Sequence, residues 1–178
     1  MSASADSRIR SLPQLLHALN EVALAHEFGE IFERVELSLA DVQEYVRFKP
    51  DTYNRQSIRK TANYELLVLS WQPGQQSSIH CHSGSRGWML NIQGCVVEYL
   101  YQLCQQGDEI SLQDERKSQC YQATWSYIDD KRGAHRIAVE GSTPAVTLHL
   151  YAPPIESCNY FVQNGLQVTK KVHVYETV

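Results

Sequence analysis

The chain has 178 residues, 43% hydrophobic and 20% charged, which suits one domain with a single sizeable core. Sixteen basic against 20 acidic residues give a formal net charge of −4 with no basic cluster, arguing against nucleic-acid or anionic-membrane binding. Apolar runs such as Leu66-Leu67-Val68-Leu69 are far too short to span a bilayer, and no apolar leader follows Met1, so a cytoplasmic protein is expected.

The pattern of Leu15, Leu16, Leu19, Val22 and Ala23 predicts a first helix over Leu12 to Ala25. Ser38-Leu39-Ala40-Asp41 has the form of a capping box and opens a second helix, and Pro50 ends helical structure. From about residue 60 short strands take over: Tyr64 to Trp71, Ser77 to His82, Trp88 to Ile92 and Cys95 to Leu103. Cys120 to Ile128 and Ala145 to Tyr151 follow, then a hairpin at Asn164-Gly165, a dipeptide suited to a type I′ turn. The expected fold is mainly β, a small β-barrel or jelly roll over about 60–178, with N-terminal α-helices over about 8–48 of the same single domain. The five cysteines (Cys81, Cys95, Cys104, Cys120, Cys158) lack paired spacing and read as reduced thiols.

His80-Cys81-His82 is the first candidate for chemistry. On a strand, side chains two apart share a face, so both imidazoles point one way and Cys81 the other. Taken alone, a His-x-His pair is more often a surface pair. The frame of Gly74, His80, His82, Gly87 and Gly94, however, matches the first motif of the cupin superfamily in spacing. Gly87 departs from it, standing where that motif usually carries a metal-binding glutamate. His135, in Arg132-Gly133-Ala134-His135-Arg136, stands where the second cupin motif supplies its ligand. Three neutral imidazoles can cap one face of a metal and leave the opposite positions open.

The chain resembles the cysteine dioxygenases from about Tyr53 to Cys158. The resemblance rests on Tyr53-Asn54-Arg55, Ser77-Ser78-Ile79-His80-Cys81-His82 and Gly133-Ala134-His135-Arg136. Its most specific part is the run Pro144 to Pro154, PAVTLHLYAPP. It implies a mononuclear ferrous iron, Fe(2+), held by His80, His82 and His135, and conversion of a small thiol and O2 to a sulfinic acid. Thr147, His149 and Tyr151 alternate along one strand and can pass a hydrogen bond along a row. The residues alone leave open whether that row faces solvent or the barrel; the resemblance turns it inward, with Tyr151 beside substrate and oxygen and Cys158 near the pocket.

The resemblance also assigns Arg55 to the substrate carboxylate, a task suited to the guanidinium fork, with Tyr53 at the same end. Relatives that prefer 3-mercaptopropionate have glutamine at this place. Animal members carry at the place of Gly87 a cysteine that becomes linked to the tyrosine; glycine precludes that link, as in many bacterial members. His17, His26 and His173 match no motif, and Trp71 and Trp88 read as core residues. The expectation is therefore a cytoplasmic, monomeric cysteine dioxygenase acting on a small thiol and O2. A 3-mercaptopropionate dioxygenase and a non-catalytic cupin that binds a small carboxylate are the alternatives.

Overall fold

A computed structural model describes residues 8–22, 27–107, 109–164 and 167–174. Helix α1 spans Leu12–Asn20, with the Ser11 hydroxyl accepting from the Gln14 N–H at 3.4 Å and Leu12, Leu15 and Leu19 buried. It ends before the predicted Ala25, and residues 23–26 lie outside the described part. Helix α2, Glu27–Phe32, was not predicted; it is one and a half turns long and buries Phe28, Ile31 and Phe32. Helix α3, Leu39–Val42, continues as a 3-10 turn over Gln43–Tyr45. The Asp41 carboxylate accepts from the Ser38 N–H and hydroxyl at 2.8 and 2.6 Å, so the predicted helix start is in place. No helix among the described residues is long and apolar enough to cross a membrane.

Eleven strands are described: β1 Asn54–Lys60, β2 Glu65–Trp71, β3 Ile79–His80, β4 Arg86–Gln93, β5 Val96–Gln106, β6 Glu109–Cys120, β7 Trp125–Ile128, β8 Ala134–Ala138, β9 Ala145–Ala152, β10 Ser157–Asn164 and β11 Gln167–Val174. They form two antiparallel sheets, ordered β1-β2-β9-β4-β7 and β11-β10-β3-β8-β5-β6. This is the expected curled, mainly β cupin architecture with helices ahead of it.

Two strands lay outside the sequence reading. Strand β1 begins at Asn54, ahead of the expected onset near 60, and β6 pairs with β5 along the sheet edge. Both are polar and mostly exposed, so neither carries the apolar alternation that marks a half-buried strand. The expected strand Ser77 to His82 contracts to the two residues of β3, and Cys120 to Ile128 contracts to β7. Strand β10 pairs with β11 as expected, Asn164 facing Gln167, while the turn residues 165–166 lie outside the described part.

The three central strands of the five-stranded sheet, β2, β9 and β4, are buried on both faces. Leu66, Val68, Trp88, Leu90, Val146, Leu148 and Leu150 pack outward against Leu15, Leu19, Phe28, Phe32 and Val42 of the helices. Leu67, Leu69, Trp71, Met89 and Tyr151 point inward, meeting Ile137, Ile155 and Cys158. The helices thus cover the apolar outside of β9, which leaves its polar side chains facing the barrel interior.

Candidate metal centre

Register places the three motif histidines together. His80 on β3 lies opposite His135 on β8, and His82 follows two residues after β3. One potential ligand atom from each of His80, His82 and His135 lies within 4.8 Å of the others. The ring centroids are 4.7 to 5.3 Å apart. His82 is off the strand, so the strand-face argument for it does not hold. It reaches the cluster through a turn, Ser85 N–H donating to the His82 carbonyl at 3.0 Å. Cys81 does turn away, packing with Ala134 and Phe161 on the outer face of its sheet.

Two rings are oriented by bonds at their outer nitrogens. His80 Nδ1 lies 2.9 Å from the Ser78 carbonyl oxygen, and His135 Nδ1 lies 2.8 Å from Glu98 Oε1. Each acceptor holds a proton on Nδ1 and leaves Nε2 to point into the cluster, the arrangement that outer-shell partners impose on metal-binding histidines. Nε2 of His135 and both ring nitrogens of His82 are buried without a hydrogen-bond partner among the described residues. Orphaned buried nitrogens are costly, and a shared cation is the group that satisfies several at once. Burial, with His135 alongside, pushes His80 down to about 3 and holds His82 well below the usual imidazole range. Both rings are therefore neutral with free lone pairs, as ligation demands. The cluster fits a divalent metal.

The facing wall comes from β9. Thr147, His149 and Tyr151 all point inward, as the resemblance implied and the alternation alone left open. Trp71 Nε1–H donates to Thr147 Oγ1 at 2.9 Å, Thr147 Oγ1 lies 2.8 Å from His149 Nε2, and His149 Nδ1 lies 3.3 Å from the Tyr151 hydroxyl. Trp71 can only donate, so it fills one lone pair of Thr147 and leaves the threonine proton for His149 Nε2. His149 then carries its proton on Nδ1, towards Tyr151, whose own proton is free to point into the site. Burial keeps His149 well below the ordinary imidazole range and pushes Tyr151 up to about 12, so His149 is neutral and Tyr151 protonated at neutral pH.

Arg55 pairs across β1 and β2 with Leu69, which puts it on the same inner face, and its guanidinium carbon lies 6.0 Å from the Tyr151 ring centre. Tyr53 stacks on Trp71 at 4.3 Å between ring centres. An outer pocket of about 540 Å³ is lined by Tyr53, Arg55, His80, Cys158 and Tyr160, among others. It shares Tyr53, Arg55 and His80 with an inner cavity of about 20 Å³, walled also by Leu69, Ile137, His135, His149 and Tyr151. Seven of the nine predicted site residues line these two spaces; Thr147 stands behind them, bonded to His149, and His82 joins through the histidine cluster. The sequence reading missed Trp71 as a hydrogen-bond donor, and also Ser78, Glu98 and Asp130. Trp71 and Glu98 act on partners that strand pairing brings near, Asp130 reaches His82 from a distant loop, and Ser78 acts through its backbone carbonyl, so no side-chain motif announces them.

Residues 1–164 match the family described as Cysteine dioxygenase type I. The chain belongs to this family. Among its relatives, "Cysteine dioxygenase type 1" of Bos taurus is 30% identical over 179 residues, covering 94% of this chain and 87% of the relative. That of Rattus norvegicus is 31% identical over 165 residues, covering 86% and 80%. A solved structure described as an uncharacterized conserved protein with a double-stranded β-helix domain, from Klebsiella pneumoniae, aligns with a TM-score of 0.50 and 18% identity. It covers 72% of this chain and 92% of that one, a likeness that speaks to the fold alone. Within the family frame Gly87 lies opposite Tyr151 across β4 and β9, and a Cβ there would sit 3.2 Å from Tyr151 Cε1.

Proposed function

We propose that this chain is a cysteine dioxygenase that converts L-cysteine and O2 to cysteine sulfinic acid, with His80, His82 and His135 holding a ferrous ion. The observation that carries the reading is a convergence of three imidazoles, with no carboxylate among them, beside a cavity that His80 and His135 line together with Arg55 and Tyr151. A ferrous ion there supplies the redox chemistry that joins both oxygen atoms of O2 to the thiol sulfur. The protein's own residues bind and orient.

Arg55 takes the substrate carboxylate through its fork of donors, and Tyr53 closes the same end of the pocket. Tyr151, fixed by the row Trp71–Thr147–His149, directs its hydroxyl proton at the reacting atoms and stabilises negative charge that develops there. Cys158 packs beside the pocket and helps to limit its size. The inner cavity has room for about one water-sized group, which admits a sulfur end but no bulky substituent. None of the five cysteines forms a disulfide, in keeping with a reducing compartment, and we place the enzyme in the cytoplasm.

Oxygen consumption and sulfinate formation, measured with L-cysteine, 3-mercaptopropionate and cysteamine on iron-loaded and zinc-loaded protein, test this directly. Turnover of L-cysteine in the iron form alone is expected. A preference for 3-mercaptopropionate would move the assignment to that thiol, and equal turnover in an iron-free zinc form would overturn the metal chemistry.

A further inference from the structure

His82 differs from the other two motif histidines in how it is held. Its ring has no hydrogen bond to any described residue, whereas the rings of His80 and His135 are tied to Ser78 and Glu98. It also lies outside a strand, in the segment His82-Ser83-Gly84-Ser85, where Ser83 and Gly84 have φ of +50° and +93°. A serine at positive φ is held in a conformation L-residues rarely adopt, so something must hold this turn.

That something is Asp130, 48 positions away. Its Oδ1 accepts from the His82 N–H at 2.8 Å, and its Oδ2 accepts from the Gly84 N–H at 2.6 Å. One carboxylate thus spans the strained residue, gripping the backbone on either side of Ser83. The base of the clamp is itself fixed. Asp129 accepts from the Tyr127 hydroxyl at 2.9 Å and from the Arg132 N–H at 3.1 Å, and Arg132 Nη1 donates to the Tyr127 carbonyl at 2.6 Å. The loop then runs through Gly133, where a Cβ would meet the Tyr101 carbonyl oxygen at 2.1 Å, directly into Ala134 and His135. A single loop therefore delivers one histidine through its own chain and pins a second through Asp130.

We propose that Asp130 is a positioning residue of the metal site, setting the direction of the His82 imidazole by clamping its backbone. The inference rests on the three-histidine reading above. It gives the segment 129–135 a role that its polar, turn-like sequence does not announce: it couples the geometry of two of the three ligands.

The test uses cobalt(II) as a spectroscopic probe, titrated into metal-free full-length protein. Asp130→Ala should weaken cobalt binding by about 10- to 100-fold, the usual effect of removing an outer-shell partner. It should also alter the visible d–d bands, because a ligand leaves its place, while the metal-free protein keeps its folded circular-dichroism spectrum. Asp130→Asn keeps an oxygen for one N–H but sets an amide N–H against the other, so it should bind cobalt with intermediate affinity. Should the alanine variant fail to fold, the asparagine variant decides the matter. Wild-type affinity and an unchanged spectrum in the folded variant overturn the proposal for Asp130 alone. A wild-type protein that forms no cobalt complex overturns the three-histidine centre, and this proposal with it.

Discussion

Replacing Thr147 by valine isolates the hydrogen bonds that hold Tyr151, because the two side chains have nearly the same shape. Thr147 is fully buried, with its hydroxyl between Trp71 Nε1 and His149 Nε2. Valine fills the same space and offers neither partner an oxygen. The Trp71 N–H and the His149 nitrogen then remain buried and unsatisfied, each at a cost of about 1–3 kcal/mol, or about 2–6 kcal/mol together. Thr147→Ser is the control: it keeps the hydroxyl and loses one methyl group, worth about 1 kcal/mol. Urea unfolding of metal-free protein, at constant m-value, measures both, since bound metal would add its own stabilisation. The valine variant should be the less stable by at least about 1 kcal/mol and should lose turnover, while the serine variant keeps most of it. Equal stability of the two variants would refute the hydrogen-bonded row, whatever their activities.

Arg55→Ala should lower kcat/KM for L-cysteine by roughly ten- to a hundredfold, from the loss of a charge-assisted contact worth about 1.5–3 kcal/mol, and leave cysteamine nearly unaffected. Arg55→Gln should move preference towards 3-mercaptopropionate; an unchanged cysteine-to-cysteamine ratio in the alanine variant would remove Arg55 from the carboxylate. Alanine at His80, His82 or His135 should abolish stoichiometric iron by elemental analysis, and full occupancy in any of the three would exclude that residue as a ligand. The metal-free protein should lose stability as pH falls below about 6.5. His80, lowered to about 3, and His82 and His149, also lowered, stay neutral in the fold while they protonate in the unfolded chain. The stabilisation is complete above the unfolded value and declines by about 1.4 kcal/mol per pH unit for each such histidine as pH drops towards the folded values. Urea midpoints that stay flat from pH 7 to 5 would show that these rings are not held neutral.

Much of the site was legible because its residues sit at fixed spacings: His80 and His82 two apart, and Thr147, His149 and Tyr151 alternating on one strand. The direction of that strand was legible only through the resemblance. All eight residues of β9 are buried, so neither polar nor apolar alternation marks a solvent side, and only the helices packed on Leu148 and Leu150 decide it. The strand face expected for His82 failed for a different reason. Two residues of pairing end β3 at His80, and a turn takes over that the sequence Ser83-Gly84 signals but the motif reading ignored. The supporting residues were hidden by distance along the chain. Glu98 stands 37 positions from His135, and Trp71 stands 76 from Thr147. Strand β6 escaped because a polar, exposed edge strand has no apolar face to reveal its period.

Gly87 links the chemistry of the two walls. The first cupin motif usually places a glutamate there, an anionic ligand that would offset part of a metal's charge. In this chain the position faces Tyr151 across the sheet, and even a Cβ would crowd Ile128 Cγ2 at 3.1 Å and Tyr151 Cε1 at 3.2 Å. A side chain at 87 would therefore press on the phenol ring of Tyr151, which would have to shift slightly to admit it; glycine leaves the ring where it is. Glu98 touches His135 at Nδ1, one imidazole removed from the ligand position, and Asp130 touches only the backbone of His82 and Gly84. Glu98 orders the ring without placing a negative charge on the metal. Facing the pocket, the histidines lowered by burial are neutral, Tyr151 keeps its proton, and Arg55 is cationic. A bound divalent ion would sit in that neutral-to-positive setting with its charge unopposed by a protein ligand. Such a site selects a substrate that brings its own anions, a thiolate for the metal and a carboxylate for Arg55.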